Sequence, residues 1–359
     1  MNEPQQPMDL HFTPTNGPVD DAIAGLIAMA GGIRRPAIVR EMILASLKAG
    51  QEDDTKADLK LMNASLKEMR FTAKIFGPYR ARRKVSVFGS ARTLQQSHVY
   101  GMAQDLGRRL AREGYMVITG GGPGIMQAVN EGAGPSHSFG INIRLPFEQQ
   151  PNPVVAGNPR SINYKYFFNR KVAFLKEADA VVLFPGGFGT MDEAMETLTL
   201  VQTGKRNPLP VIMIEPAGRD YWTSWVTFLR TQMEQAGYIH ADDVNLFERT
   251  SSVEAAVAHI TRFYRRYHSL RHVGSKLVVR LKAPLAENDL AVLREGFADM
   301  LLPGGAIIQA GALPQEADEP QLIDLPRLIV DFNRMRFARL KALIDALNEL
   351  PSLAPRAAR

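Results

Sequence analysis

A doubly wound α/β fold, a parallel sheet with helices on both faces, follows from three features of this sequence. Short apolar runs alternate with longer amphipathic stretches from Lys84 to Tyr267. That is the rhythm of β-α units, not of a sandwich or a bundle. Ala180-Val181-Val182-Leu183-Phe184 shows no polar alternation, so it reads as a strand buried on both faces. Three strand ends carry small or glycine residues, at 89–90, 120–124 and 185–190. Ligands of such sheets bind beyond the carboxyl ends of the strands, so all three can line one crevice.

In chain order, residues 1–18 are polar and rich in proline, read as a disordered tail with no basic stretch like that of a signal peptide. Helical patterns follow near 19–32, 36–49 and 55–76, broken at Gly31-Gly32 and between Gly50 and Asp54; Pro36 suits a first helical turn. Together 19–83 form an N-terminal helical segment. From Lys84 the α/β texture begins: Val85 to Phe88 as a strand, Val99 to Glu113 as a helix, Tyr115 to Thr119 as a strand, Ile125 to Glu131 as a helix and Phe139 to Ile143 as a strand. Ser161 is read as the cap of a helix over Asn163 to Glu177. After the strand at 180–184 come a helix to about Thr203, a strand from Pro210 to Glu215, and helices through Trp222 to Gly237 and Ser252 to Tyr267. Residues 84–273 are thus one Rossmann-like domain. From Gly274 a β-α-β-β-α order, with strands at 277–281, 306–309 and 328–332 and helices at 287–301 and 335–350, predicts a small α+β module over 274–359. Its expected role is structural support.

Composition narrows the chemistry. The 359 residues contain no cysteine, which excludes disulfides, thiolate nucleophiles and Cys-ligated zinc. The longest apolar stretch, Ala22 to Ile33, is far short of the ~20 residues a membrane span needs, and a cytoplasmic location is expected. The net charge of +6 gathers at Arg80 to Lys84 and Arg262 to Arg271. No nucleic-acid motif accompanies it, so a small anion is the expected partner. The first glycine cluster fails the dinucleotide test, since Ile125 stands where the third glycine of G-x-G-x-x-G belongs and the next strand ends at Arg144 and not at an acid. Neither cluster is followed by the Lys-Ser or Lys-Thr of a P-loop. His268 and His272 lack the glutamate of a zincin.

The stretch Pro185-Gly186-Gly187-Phe188-Gly189-Thr190-Met191-Asp192-Glu193 passes from strand to helix. Its glycines let backbone N–H groups approach a ligand, and a helix N-terminus favours an anion. Glu193 and Glu196 share a helix face just beyond. A phosphate seat beside carboxylates is the result.

That stretch resembles the Lonely Guy (LOG) family, once labelled lysine decarboxylases, whose pattern Pro-Gly-Gly-x-Gly-Thr-x-x-Glu it matches throughout. Arg170-Lys171 is similar to a second family element, and Val87 to Ser90 and Gly120 to Met126 look like the family's other glycine turns. The flanking segments look like those of longer bacterial members. The resemblance implies a hydrolase that cleaves the N-glycosidic bond of nucleoside 5′-monophosphates to free base and ribose 5-phosphate. It implies catalysis by Glu193 with Arg170 as its partner. Gly89, Ser90, Gly121, Gly122, Gly124, Lys171, Gly186, Gly187, Gly189, Thr190 and Glu196 would contact the substrate. It implies no metal or organic cofactor, and at least a homodimer. The decarboxylase label finds no lysine in a setting suited to pyridoxal phosphate. The competing reading is a nucleotide or molybdenum-cofactor carrier, which shares the glycine turn but has no need of an arginine–glutamate pair. The preferred base stays open, with Met126, Phe188 and the aromatics from Tyr164 to Phe168 as candidate contacts.

Overall fold

The computed structural model describes residues 12, 15–52, 55–144 and 150–351. The expectation of a disordered tail falls mostly outside them. The chain divides into two compact units, Met1–Glu68 and Met69–Arg359.

In the first unit, helices α1 (Pro18–Ala30) and α2 (Pro36–Glu52) pack around buried Ile23 and Leu44. Arg40 ties them together by donating Nε to Asp20 at 3.1 Å. Helix α3 (Lys56–Phe76) begins in this unit and ends in the second.

The second unit is built on a seven-stranded parallel sheet. In chain order it contains β1 (Lys84–Phe88), α4 (His98–Arg112), β2 (Met116–Thr119), α5 (Ile125–Ala133), β3 (Ser138–Ile143), β4 (Ser161–Tyr164), α6 (Phe167–Lys176), β5 (Ala180–Leu183), α7 (Phe188–Gln202), β6 (Val211–Ile214), α8 (Tyr221–Phe228), β7 (Glu248–Thr250) and α9 (Val253–Phe263). The spatial order is β4-β3-β2-β1-β5-β6-β7, which reverses direction between β1 and β5. Alternate residues of β5 serve two cores. Val181 and Leu183 join Phe76, Phe174, Ala194 and Trp222 on one face, while Ala180 and Val182 join Leu106, Ile125, Val129 and Ile260 on the other. Burial on both faces explains why these strands carry no polar alternation.

A second sheet follows, with β8 (Tyr267–Val273), β9 (Lys276–Leu281), β10 (Ile307–Ala310) and β11 (Arg327–Val330) in the antiparallel order β10-β11-β9-β8. Helices α10 (Glu287–Gly296) and α11 (Phe337–Glu349) cover it. It is braced against the parallel sheet's helices. Asn348 accepts from the backbone of Arg266 and Tyr267 and donates to Phe263. The Phe337 ring lies on Gly204 just past the end of α7, where an added Cβ would stand 2.0 Å from the ring.

Two local expectations need correction. Ser161 does not cap a helix. Residues 161–164 form edge strand β4, with Ile162 and Tyr164 turned inward, and α6 starts only at Phe167. The α+β module also has a strand before its expected first one, β8, so its order is β-β-α-β-β-α. Tyr267, Leu270 and Val273 are its buried residues, a spacing of three that hides a strand. A register shift between Tyr267 and Ser269 accounts for the first of these two intervals, since a bulge breaks the period of two. His268 and His272 lie on this strand, roughly 13 Å apart at strand spacing, so they cannot share a metal as helical neighbours would. Each basic cluster has a paired arginine: Arg83 pairs with Asp179 at 3.0 Å and stacks on Tyr264, and Arg271 pairs with Asp318 and Glu319.

Candidate active site

Where the strand order reverses, the loops leaving β1 and β5 part and leave room at their carboxyl ends. A cavity of about 670 Å³ opens there, walled by residues 88–92, Gly120, Met126, Phe167, Arg170, Phe174 and residues 186–193. All three glycine-bearing strand ends contribute to it.

The two central loops are joined where they leave their strands, before they diverge. Ser90 donates its backbone N–H to Pro185 O at 3.1 Å, and Ile125 donates to Ser90 O at 3.1 Å. Gly124 permits that second contact, because a Cβ there would stand 2.3 Å from Ser90 O. Gly89 and Ser90 line the cavity. Arg92, exposed on the same wall, was not anticipated from the sequence.

The glycines of the β5–α7 turn divide by cause. Gly186 is glycine for packing, since a Cβ would meet Thr190 Oγ1 at 2.1 Å. A Cβ on Gly187 or Gly189 would meet no protein atom within 4 Å, and neither residue has a positive φ. Nothing in the protein's own packing requires glycine there, while both face the cavity. Gly187 caps α7 without a side-chain hydrogen bond, so the first N–H groups of the helix, which have no intrahelical acceptor, are left for a ligand. Tyr221 steadies the turn by donating its hydroxyl to Gly186 O at 2.7 Å. Glu215 in turn accepts from the Tyr221 and Trp222 N–H groups at the start of α8. Neither residue carries a local sequence signal, because the contact joins elements that are separate along the chain.

Glu193 lies two turns into α7 and is 9% exposed, and its Oε2 is buried without a hydrogen-bond partner. Burial, reinforced by nearby Glu196, pushes its carboxyl up to about 7, while Lys171 and Arg170 act in the opposite direction. Arg170 reaches across the sheet from α6, donating Nε to Ile141 O at 2.9 Å and Nη2 to Gly120 O at 3.4 Å. Its guanidinium lies 5.2 Å from the centre of the Phe174 ring. Burial lowers Arg170 to about 10, partly offset by Glu193, so it stays a cation at neutral pH. Neither of its two hydrogen bonds goes to Glu193. The two residues couple through space.

Lys171 points elsewhere, to Asp192 at 2.7 Å and Glu196 at 3.1 Å. Lys171 and Glu196 form a bracket between α6 and α7 behind the cavity wall and do not line it. Thr190 is buried against Gly186. Gly121 and Gly122 line a smaller adjoining cavity of about 200 Å³. Their loop is pinned by a buried polar cluster that sequence reading missed. Thr119 donates to Asn130, and Asn152 donates to Asn130 and to Gly122 O, while its own N–H reaches Gly121 O at 2.7 Å. Such residues have no periodic pattern to betray them. Among the described residues no group of three or more His, Asp or Glu is placed to hold a metal ion, and no helix is long and apolar enough to cross a membrane.

The electrostatic arrangement makes one prediction. Replacing Glu196 with Gln removes a charge that raises Glu193, so the acid limb of a pH–rate profile governed by Glu193 moves below its wild-type position near 7. Lys171→Met removes a cation that lowers Glu193 and moves the limb up. Limbs that stay fixed in both variants would remove Glu193 as the titrating group.

Residues 124–260 match the family described as "Possible lysine decarboxylase". A cytokinin riboside 5′-monophosphate phosphoribohydrolase of Arabidopsis thaliana, LOG3, is 29% identical over 162 residues, covering 44% of this chain and 72% of that protein. A second from the same plant, LOG4, is 27% identical over 161 residues, covering 44% and 71%. Among solved structures, a molybdenum cofactor carrier protein from Chlamydomonas reinhardtii aligns with 50% of this chain and 97% of its own, at 21% identity and a TM-score of 0.35. The match over 124–260, the phosphoribohydrolase relatives and the intact Pro185–Glu193 turn at the point of strand-order reversal agree, and this part of the chain is similar to the LOG family.

Proposed function

We propose that this protein is a nucleoside 5′-monophosphate phosphoribohydrolase, which cleaves the bond between C1′ and the base to give free base and ribose 5-phosphate. The observation that carries the reading is Glu193, a buried carboxylate with an unpartnered oxygen, held near neutral pKa on a helix whose uncapped N-terminus opens into the same cavity.

The substrate's 5′-phosphate lies on the N–H groups at Phe188 and Gly189, where the helix dipole favours negative charge. Arg92 supplies a cation from the opposite loop. This places the sugar over Glu193. As the C1′–N bond lengthens, the electron pair leaves with the base and C1′ gains oxocarbenium character. Ionised Glu193 stabilises that charge and accepts a proton from the water that forms the new C1′–O bond. Arg170 donates a hydrogen bond to the anionic nitrogen of the departing base, strengthened by the low dielectric of its site. A base that titrates near 7 is matched to this work at neutral pH.

The test is incubation with a panel of nucleoside 5′-monophosphates and the matching unphosphorylated nucleosides, following free base and ribose 5-phosphate. Cleavage confined to the phosphorylated compounds is expected. Tight binding of nucleotides without cleavage of any would replace the hydrolase reading with that of a carrier.

A further inference from the structure

We propose that the smaller cavity beside Arg170 is the nucleobase subsite, and that Asn142 within it selects bases bearing an exocyclic amino group. The proposal rests on the nucleotide reading above.

The two cavities share Gly120, Met126, Phe167 and Arg170 as walls. A nucleotide runs phosphate, ribose, base. With the phosphate at the start of α7 and C1′ between Glu193 and Arg170, the base extends past Arg170 into the smaller space. Met126 and Phe167 offer it apolar faces there, and the backbone of Gly120 to Gly122 closes one side.

Asn142 is the built polar group of this cavity. It sits at the carboxyl end of β3, only 9% exposed, one residue beyond the Ile141 carbonyl that holds Arg170. Its Nδ2 donates to Ser161 Oγ on neighbouring β4 at 2.8 Å. That bond takes one of the amide's two donors and leaves Oδ1 turned towards Gly121. Its Oδ1 occupies the space an added Cβ on Gly121 would need, 2.0 Å from where that atom would stand. Gly121, with φ of 72°, is therefore a glycine on two counts. The arrangement leaves an acceptor on the cavity floor. The amino group of adenine or cytosine donates to an acceptor. The oxo group of hypoxanthine or uracil sets lone pair against lone pair and leaves the buried Oδ1 unsatisfied, which is costly in a desolvated site.

The experiment measures kcat/KM of the full-length protein for AMP, IMP, CMP and UMP. Within each pair the exocyclic group changes from amino to oxo. AMP over IMP and CMP over UMP are each expected by roughly tenfold or more. Asn142→Leu is expected to bring both ratios close to one while leaving inhibition by ribose 5-phosphate unchanged. Ser161→Ala removes only an oxygen, frees the amide to turn, and is expected to reduce both ratios even if Asn142→Leu does not fold. Cleavage of the panel with wild-type ratios near one, or with ratios unmoved in folded Asn142→Leu or Ser161→Ala, would overturn the subsite and leave the hydrolase standing. Cleavage of none of the four by the wild type would overturn the hydrolase reading and the subsite with it.

Discussion

Glu193→Gln is expected to lower kcat by roughly a thousandfold and, at the same time, to make the protein more stable above neutral pH. The two effects share one cause. In the folded protein burial raises the Glu193 carboxyl from 4.5 to about 7, so the folded state holds its proton where the unfolded chain has released it. A raised acid favours folding fully only below the unfolded pKa, and that contribution is lost as pH rises from 4.5 through 7. Above pH 8 the ionised carboxylate therefore destabilises the fold, on the order of 3 kcal/mol for a shift of this size. Glutamine has nearly the same shape and no charge to desolvate. Urea denaturation of wild type and variant across pH 5 to 9 would reveal a stability gap that opens as pH rises. A constant gap would mean that Glu193 is not the desolvated acid described here, and retained turnover would remove it from the mechanism.

Arg170→Met is expected to reduce kcat by about two to three orders of magnitude, the loss typical of deleting one donor to developing negative charge, with a much smaller change in KM. It should also move the acid limb of the pH profile upward, because Arg170 is one of the two cations that lower Glu193. Arg170→Lys should not restore the rate, since the guanidinium reaches Ile141 O and Gly120 O through two separate nitrogens, Nε and Nη2, and the three N–H groups of an ammonium diverge from one nitrogen and cannot span the same positions. The cost to stability should be modest, because methionine fills a comparable volume against Phe174. A kcat within a few-fold of wild type would dismiss leaving-group stabilisation by this residue.

The physical difference between Arg170 and Glu193 explains how much of the site could be read beforehand. Glu193 belongs to a local pattern, a strand running into glycines and then a helix, which points to an anion seat beside carboxylates without any tertiary knowledge. Arg170 does not, since an arginine in a helix is ordinarily a solvated charge. It was found only through resemblance, and its bonds to the ends of β2 and β3 come from helix packing. Gly187 and Gly189 look the same as Gly186 in the sequence. Only the surroundings show that Gly186 serves Thr190 while the other two face the cavity.

The sequence by itself determined the parallel sheet and the three glycine-bearing strand ends, because those features depend on the period of apolar residues and on the composition of short continuous stretches. Tertiary structure alone decided where the sheet reverses, so that β1 and β5 become neighbours and their loops part. It also revealed the β8 strand hidden by its burial pattern, moved Lys171 and Glu196 behind the wall, and brought Asn142, Tyr221 and Arg92 to the site. Those contacts join residues far apart along the chain. No local period encodes them, since they arise only when separate elements pack on a common core.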